Sequence, residues 1–309
     1  MIRYIIRRVL FLIPVLIGVA FCVFTLLYLT PGDPAKMVLG DMATEDAIAR
    51  FREAEGLNDP FLVQFGNYLY KAVAKGDIGR SYVTKRPVLN EIMQAFPSTM
   101  KLAAFAMVIA IVIGIPCGIL SAIKQYSLFD TITMIFAMVG LSMPVFWLGL
   151  LLILLFSVHL RWLPSSGFDT FRAMILPSLA LSAQSISMVT RMTRSSMLEV
   201  VRADYIRTAR SKGQKESVVI WVHALHNALI PVVTLCGLQF GELLSGAILT
   251  ESIFAVPGVG RLMVESIKAR DYPIVQGGVL FVAIAFSVVN LLVDLVYAYI
   301  DPRIKAQYK

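Results

Sequence analysis

The chain has 309 residues, of which 58% are hydrophobic and only 16% are charged, and its mean hydropathy is +0.75. Soluble globular domains carry about 25% charged residues, so the composition excludes an ordinary soluble protein and predicts an all-α protein that crosses a membrane several times. The net charge of +8 does not indicate a nucleic-acid partner, because the basic residues flank apolar runs, as in membrane proteins. Cys22, Cys117 and Cys236 lie inside apolar runs without metal-binding spacing, so no metal site is expected.

The N-terminal tail and the first predicted span occupy residues 1–30. A short basic start precedes an uncharged run from Val9 to Thr30. This run has about the 20 residues that a bilayer crossing needs, whereas the apolar core of a signal peptide is shorter. Residues 31–97 carry mixed charges and are too polar to cross a membrane. We therefore expect them to form a large extracytoplasmic region after the first helix.

The remaining residues, 98–309, predict a membrane domain with five more spans, at 100–123, 131–158, 173–190, 228–249 and 274–299, which makes six in total. Proline and glycine inside these runs do not argue against helices, since membrane helices tolerate both.

The fourth span is the least apolar and carries hydroxyl groups on one face. Ser178, Ser182 and Ser185 follow the spacing i, i+4, i+7. Small hydroxyl residues of this kind either pack helices together or line a transport pathway. Both interpretations stay open.

Two acidic residues fall within predicted spans. Glu242 lies in the middle of the fifth span among small residues, and Asp294 lies one turn from Asn290 in the sixth. A charge at bilayer depth usually faces the bundle interior or a cavity. Glu242 is a candidate pathway residue, although a carboxyl group that is protonated or hydrogen-bonded to a neighbouring helix is favoured. Asp294 is expected to be structural.

Charge in the loops predicts the orientation. Lys and Arg are much more frequent in the short loops on the N-terminal side than in those on the opposite side, and such loops are normally cytoplasmic. Both termini and the segment 191–227 are therefore expected in the cytoplasm.

Within that segment, Ala203–Lys212 predicts a short helix. Asp204 lies in its first turn, Arg210 and Lys212 lie in its last turn, and Gly213 follows as a stop signal. This order of charges suits the helix dipole.

One face of the predicted short helix is apolar. Tyr205, Ile206 and Ala209 share this face and are expected to form a ridge that enters a groove on a partner protein. The alternative is a solvated basic loop that binds nothing.

Signatures of catalysis are missing from the sequence. It has no GxxxxGK[ST] phosphate loop, no HExxH and no GxSxG. We expect a protein that is not an enzyme, so that any ATP used for transport is hydrolysed by another subunit.

The segment Asp204–Gly213, followed by His223–Val233, resembles the cytoplasmic loop of permeases in binding-protein-dependent ABC importers. Arg207–Ala209 stand where the general pattern of that loop has Glu-Ala-Ala, and Pro231 follows Gly213 at a longer distance than in that pattern. Both features are typical of the dipeptide/oligopeptide/nickel branch.

Further segments along the chain resemble the B-type subunit of that branch, and most closely its dipeptide permeases. They are Pro31–Pro34, Gly76–Gly79, Arg191–Glu199, Leu238–Gly241, Gly246–Glu251, Pro257–Arg261 and Arg270–Gln276. The implied cargo is a dipeptide or short oligopeptide, with nickel or glutathione as alternatives. A secondary transporter or channel is the competing class and would need no ATPase partner.

The resemblance implies partners and a location. It implies a second, C-type permease subunit, two ATPase subunits that bind ATP and Mg, an extracytoplasmic substrate-binding protein, and a lipid environment in the inner membrane of a bacterial cell. This chain itself is expected to bind no cofactor.

The resemblance also implies roles for individual residues. Ser178, Ser182, Ser185 and Glu242 become candidates for the pathway, where Glu242 would meet the amino group of a peptide. A bulky residue at Gly213 or Ala209 should uncouple ATP hydrolysis from uptake. The helix that couples to the ATPase would comprise Asp204, Tyr205, Ile206, Arg207, Thr208, Ala209, Arg210, Lys212 and Gly213.

Overall fold

The computed structural model describes residues 2–40 and 42–300. Within these ranges, the side chains of residues 2–9, 37, 294 and 296–300 are not described. The predicted structural role of the Asp294 side chain and the predicted cytoplasmic tail from residue 301 therefore lie outside the described part of the chain.

The described residues form helices and no β-strand. The first four helices are α1 (Ile2–Leu29), α2 (Pro34–Leu39), α3 (Glu45–Ala54) and α4 (Phe61–Ala74). The central ones are α5 (Val88–Ile123), α6 (Leu128–Ser142), α7 (Val145–Leu152), which continues as a π-helical segment at Ile153–His159, and α8 (Phe171–Val201). The last are α9 (Asp204–Ser211), α10 (Glu216–Val218), a π-helical segment at Val219–Ala224, α11 (Leu225–Ile253), α12 (Val259–Lys268) and α13 (Tyr272–Ile300).

Five helical stretches are long and apolar enough to cross a membrane. They are Leu10–Leu29, Val88–Ile123, Phe171–Val201, Glu216–Ile253 and Tyr272–Val293. A sixth crossing results if the bent pair Leu128–Ser142 and Val145–His159 counts as one span.

The third predicted span, 131–158, is not one straight helix, because the chain bends by 108° between the two halves of that pair. Met143 at the bend is extended, with φ −80° and ψ 125°. The following residue, Pro144, disfavours a helical conformation at Met143 and cannot donate a backbone hydrogen bond. We refer to α6, α7 and the π-helical segment after α7 as the elbow.

Three helices extend beyond the predicted spans. α5 begins at Val88 instead of Met100, α8 continues to Val201 instead of ending at residue 190, and the helical stretch of the fifth span begins at Glu216. The extensions mix polar and apolar residues, so an apolar run marks the part of a helix suited to lipid and not the end of the helix. Most of the predicted loop 191–227 is therefore helical.

α5 and α8 make a very close contact. A Cβ atom added at Gly114 would lie 2.9 Å from Val189 Cγ1, and one added at Gly118 would lie 2.5 Å from Thr193 Cβ and 2.6 Å from the carbonyl oxygen of Thr190. Small residues at such contacts let membrane helices approach closely and gain van der Waals energy. α6, α7 and α11 also pack against α8, so this helix lies at the centre of the bundle.

A buried ion pair joins α6 to α8 near α9. The carboxylate of Asp130 accepts hydrogen bonds from Arg194 Nε at 2.7 Å and Arg194 Nη2 at 2.8 Å. It also accepts from the hydroxyl of Ser121 on α5 and from the backbone N–H of Tyr126 at 2.9 Å. Asp130 is only 3% exposed. This arrangement satisfies the buried carboxylate and fixes three helices at the end of the bundle that carries α9.

The helices α2–α4 lie at the opposite end. Asp33 caps α2 by accepting from the N–H of Ala35 at 3.1 Å and pairs with Arg52 of α3. The guanidinium of Arg52 lowers the pKa of the Asp33 carboxyl group below its ordinary value. Aromatic rings join this region to α1, with Phe24 and Phe65 at a centroid distance of 5.5 Å.

The loop after α4 is tied to the start of α13. The Asp271 carboxylate accepts from the hydroxyl of Ser81 and from the backbone N–H of Tyr82 at 2.9 Å. Burial raises the pKa of Tyr82 to about 12, so its hydroxyl stays neutral at physiological pH. The predicted extracytoplasmic region is thus a folded unit attached to the bundle by α1 and α13.

Replacing Gly118 with Leu should lower the free energy of unfolding by about 1–3 kcal/mol, the usual cost of overpacking a core. The added side chain would overlap Thr193 and the backbone of α8. The matched control is Gly18→Leu in α1, where a Cβ atom would meet nothing within 4 Å. Thermal unfolding of the purified protein in detergent measures both. Equal midpoints for the two variants would contradict the close α5–α8 contact.

Replacing Arg194 with Gln should cost about 3 kcal/mol, because it leaves the Asp130 carboxylate buried without its charge partner. Arg202→Gln is the control, since Arg202 is exposed and makes one hydrogen bond to Gln125 at 3.3 Å. In the double variant with Asp130→Asn, the loss should be smaller than the sum of the two single losses, as unfolding in detergent would measure. Strict additivity would refute the ion-pair assignment.

Candidate functional site

The helix α9 is a short connection between the long helices α8 and α11. It begins after Ala203, whose extended backbone (φ −69°, ψ 150°) turns the chain away from α8. It ends before Gly213, which has φ +76°, a left-handed conformation that glycine adopts without strain. The Gly213 N–H donates to the carbonyl of Arg210 at 3.0 Å. The observed helix is one residue shorter at each end than the predicted one.

The apolar face of α9 packs against this chain itself. Ile206 is 0% exposed and lies in a buried cluster with Ile119 of α5, Met197 of α8 and Val219 after α10. Ala209 packs against the edge of the same cluster. The predicted ridge for a partner's groove is therefore wrong for Ile206, whereas Ala209 stays half-buried at the edge of the cluster. The spacing of apolar residues identifies a buried face, but it does not identify which surface buries it.

Tyr205, the third residue of the predicted ridge, is in a different position. It is 45% exposed, and its hydroxyl accepts a hydrogen bond from Asn227 Nδ2 at 3.0 Å. Asn227 lies in the first turn of α11, so this contact joins α9 to that helix.

The exposed face of α9 is polar and charged. Arg207 and Asp204 are 3.7 Å apart, but both side chains are highly exposed, so their attraction is worth little. Arg210 makes two hydrogen bonds to Glu216, at 2.7 and 3.1 Å, which tie α9 to α10. The other exposed residues of the predicted coupling set are Thr208, Lys212 and Gly213. A partner that approaches α9 from outside the bundle meets charges and not an apolar ridge.

The serine face of α8 is buried inside the bundle. Ser178, Ser182 and Ser185 are 1%, 0% and 2% exposed. The hydroxyl of Ser182 donates to the carbonyl of Leu179 at 3.0 Å, and Ser185 accepts from Gln239 of α11 at 3.3 Å. These residues pack helices together, and the alternative that they line a pathway is wrong for this structure, because α5 and α11 cover that face.

A different face of α8 is open, and the sequence interpretation missed it. Its exposed residues are Gln184, Met188, Arg191 and Ser195, at spacing i, i+4, i+7, i+11, and we call them the α8 stripe. The signal was present in the sequence as a glutamine and an arginine seven residues apart. The serines beside them form the stronger pattern, so the pathway prediction was placed on the serines.

The α8 stripe borders a groove between three helices. The groove has a volume of about 720 Å³, and its lining includes Met134 and Met138 of α6, Met188 and Arg191 of α8, and Leu235 of α11. We call it the methionine groove.

Glu242 lies on the exposed side of α11. Its side chain makes no hydrogen bond or ion pair with any residue in the described ranges, so the favoured bond to a neighbouring helix is not formed within this chain. Glu242 follows Leu235 and Leu238 at spacing i, i+3, i+7, and therefore shares a face with a residue that lines the methionine groove.

A second buried carboxylate, not singled out from the sequence, is structural. Glu251 is 0% exposed and accepts hydrogen bonds from Thr99 Oγ1 at 2.6 Å and from the backbone N–H of Arg261 at 3.1 Å. Thr99 in turn accepts from the N–H of Val259 at 2.9 Å. The carboxylate thus holds the N-terminus of α12 against α5. A Cβ at Gly258 would lie 2.3 Å from the Glu251 carboxyl group, which explains the glycine there.

Metal ligands do not cluster in the described part of the chain, where no group of three or more His, Cys, Asp or Glu side chains could hold an ion.

Family models match the chain over almost its whole length. Residues 114–306 match the family described as binding-protein-dependent transport system inner membrane component. Residues 1–103 match the N-terminal region described for membrane components of the same systems.

Curated relatives match over the full chain. The dipeptide transport system permease protein DppB of Alkalihalophilus pseudofirmus is 48% identical over 333 residues, with 99% of this chain and 100% of that protein covered. The glutathione transport system permease protein GsiC of Escherichia coli K12 is 44% identical over 305 residues, with 99% of each chain covered.

Solved structures share the fold of this chain. A chain of the methionine ABC transporter MetNI in an inward-facing conformation has a TM-score of 0.60 at 16% identity, with 69% of this chain and 97% of that chain covered. An amino acid ABC transporter has a TM-score of 0.52, also at 16% identity, with 70% and 94% covered. The chain belongs to the family of binding-protein-dependent transport system inner membrane components, and is a multi-pass permease subunit of an ABC importer.

Proposed function

We propose that this chain is the B-type permease subunit of an importer that carries dipeptides or other short peptides across the inner membrane of a bacterial cell. α9 would be its contact with an ATPase subunit. The observation that carries the coupling part is the division of α9 into two faces. One face is locked to the bundle through Ile206, and the other is charged and exposed.

The proposed cargo is supported by the relatives. A dipeptide permease and several glutathione permeases match the chain from end to end. Glutathione is itself a small peptide derivative, so both names describe cargo with free carboxylates and an amino group. No observation favours nickel, because the described residues contain no cluster of metal ligands.

The proposed orientation puts α9 in the cytoplasm and α2–α4 outside the cell. It is supported by the excess of Lys and Arg in the loops at the α9 end. A substrate-binding protein would then approach the folded unit formed by α2–α4, while ATPase subunits would approach α9. The transport pathway would lie between this chain and a second, homologous permease subunit.

In the proposed mechanism, movement of α9 is passed directly to three long helices. Ile206 lies in one buried cluster with residues of α5, α8 and the segment that leads into α11. Close-packed clusters transmit displacement because they have no free volume to absorb it. The ion pair between Arg210 and Glu216 adds a second connection to α11. ATP and Mg would be bound by the ATPase subunits, whose closure supplies the displacement.

Replacing Arg207 with Glu should weaken the contact with the ATPase subunit and lower ATP-driven peptide uptake at least tenfold. Arg207 is exposed and makes only a weak contact within this chain, so the fold should be unaffected. Lys124→Glu is the matched control, with the same change of charge at an exposed site outside α9. Co-purification of the ATPase with the permease and uptake into proteoliposomes measure the two effects. If Arg207→Glu co-purifies with the ATPase and supports uptake as well as the parent does, α9 is not the docking site.

Gly213 and Ala209 are less informative positions for this test. A side chain at Gly213 is strained by its φ of +76°, and Ala209 packs against the buried cluster of this chain. Loss of uptake in either variant would therefore not distinguish docking from local misfolding.

The cargo is tested on the external binding protein that belongs to this permease. We expect titration calorimetry to detect a dipeptide with a free amino group and a free carboxylate, and to detect Ni²⁺ at least a hundredfold more weakly. Tighter binding of glutathione than of any dipeptide would identify the glutathione alternative. Tight binding of Ni²⁺ alone would refute the peptide proposal.

A further inference from the structure

The α8 stripe is too polar to face lipid. Gln184 is exposed within the part of α8 that is predicted to span the membrane, and Arg191 is exposed directly after that part. Polar and charged side chains in such helices face a water-filled cavity or another protein surface, because their exposure to lipid is costly. The open side of α8 therefore faces the interior of the assembled transporter.

The methionine groove next to this stripe suits a variable apolar ligand. Met134, Met138, Met188 and Met192 all line it, together with Leu235. Methionine side chains are flexible and polarisable, so they adapt to ligands of different shape. A surface of this kind tolerates the many side chains that peptides carry.

Arg191 is the unpaired cation at the edge of this groove. No side chain in the described ranges forms an ion pair or hydrogen bond with it, whereas Arg194, one turn further along α8, is fully engaged with Asp130. A guanidinium group presents two parallel N–H donors that match a carboxylate. Its charge is thus available to a ligand that enters the groove.

Glu242 carries the charge opposite to that of Arg191 and lies at a different depth along the bundle. The hydrogen bond from Gln239 to Ser185 sets the register of the antiparallel helices α11 and α8. Arg191 lies six residues beyond Ser185 toward the α9 end, and Glu242 lies three residues beyond Gln239 toward the other end. At about 1.5 Å per residue, the two are about 13 Å apart along the bundle.

We infer that the methionine groove binds the cargo during its passage and that Arg191 binds the cargo's free carboxylate. The inference rests on the proposed function, since it takes a short peptide as the occupant. An extended dipeptide is about 7 Å long at about 3.5 Å per residue, which is less than the spacing of Arg191 and Glu242. The backbone positions of Arg191 and Glu242 therefore lie further apart along the bundle than the two ends of a dipeptide.

The test uses the purified complete transporter in detergent, without the binding protein, and a radiolabelled dipeptide. Arg191→Gln should raise the Kd of the dipeptide at least tenfold, and Arg191→Lys should restore part of the affinity. The same dipeptide with a C-terminal carboxamide should bind the parent and Arg191→Gln equally weakly. Arg172→Gln, at an exposed site near the start of the same helix, is the matched control and should bind the dipeptide like the parent.

Four outcomes would overturn the inference. The parent transporter fails to bind the dipeptide, or Arg191→Gln binds it as well as the parent does, or Arg191→Gln weakens the dipeptide and its carboxamide by the same factor. The last result would indicate a contact of Arg191 with the second permease subunit. A defect that appears only in vesicles containing phosphatidylglycerol would also overturn it, and would identify a lipid phosphate as the partner.

Failure of the inference can be distinguished from failure of the proposed function. ATP-driven uptake of dipeptides by the parent transporter, measured with its binding protein, tests the proposed function without reference to Arg191. Uptake by the parent together with unchanged binding in Arg191→Gln would leave the importer in place and remove only the carboxylate site.

Discussion

α5 and α8 approach so closely at Gly114 and Gly118 that the backbone of one helix touches side chains and a carbonyl group of the other. In a membrane, helices do not gain from hiding apolar surface from water, so contact of this kind supplies much of the attraction between them. The contact also decides which side of α8 is enclosed. Its serines turn inward against α5 and α11, while Gln184 and Arg191 are left on the open side.

The charges near this helix divide into two groups by their partners. Asp130 and Glu251 are buried, Arg194 is half-buried, and all three are engaged with side chains or backbone groups. They fix α6, α8 and α12. Arg191 and Glu242 are exposed in the isolated chain and have no partner in its described part. The first group stabilises the fold. Without Arg194 the buried Asp130 carboxylate would lose its charge partner, and without Glu251 the donors on α5 and α12 would lose their shared acceptor. The unpaired charges of the second group can attract a molecule outside the chain.

Hydropathy located the spans because a helix in contact with lipid must consist mainly of apolar residues, which are visible in the sequence. It did not locate the helix ends, since α5 and α8 continue beyond their predicted spans to Val88 and Val201. It did not detect the break at Pro144 either, because proline continues some membrane helices and interrupts others according to what surrounds it.

The short helix α9 was predictable from its charges and its terminal glycine. The burial of Ile206 was not, since an apolar residue on a charged helix fits the protein's own core as well as a partner's groove.

The elbow has a consequence for how the chain enters the membrane. Its two halves have 15 residues in α6 and 8 plus 7 in α7 and the π-helical segment. At about 1.5 Å per residue each half is about 22 Å long, which is less than the ~30 Å hydrocarbon core of a bilayer. Neither half can cross on its own, and the backbone at the bend lacks lipid-compatible pairing until other helices cover it. α8 packs against both halves but is synthesised after them, so the elbow is covered only after α8 has been synthesised.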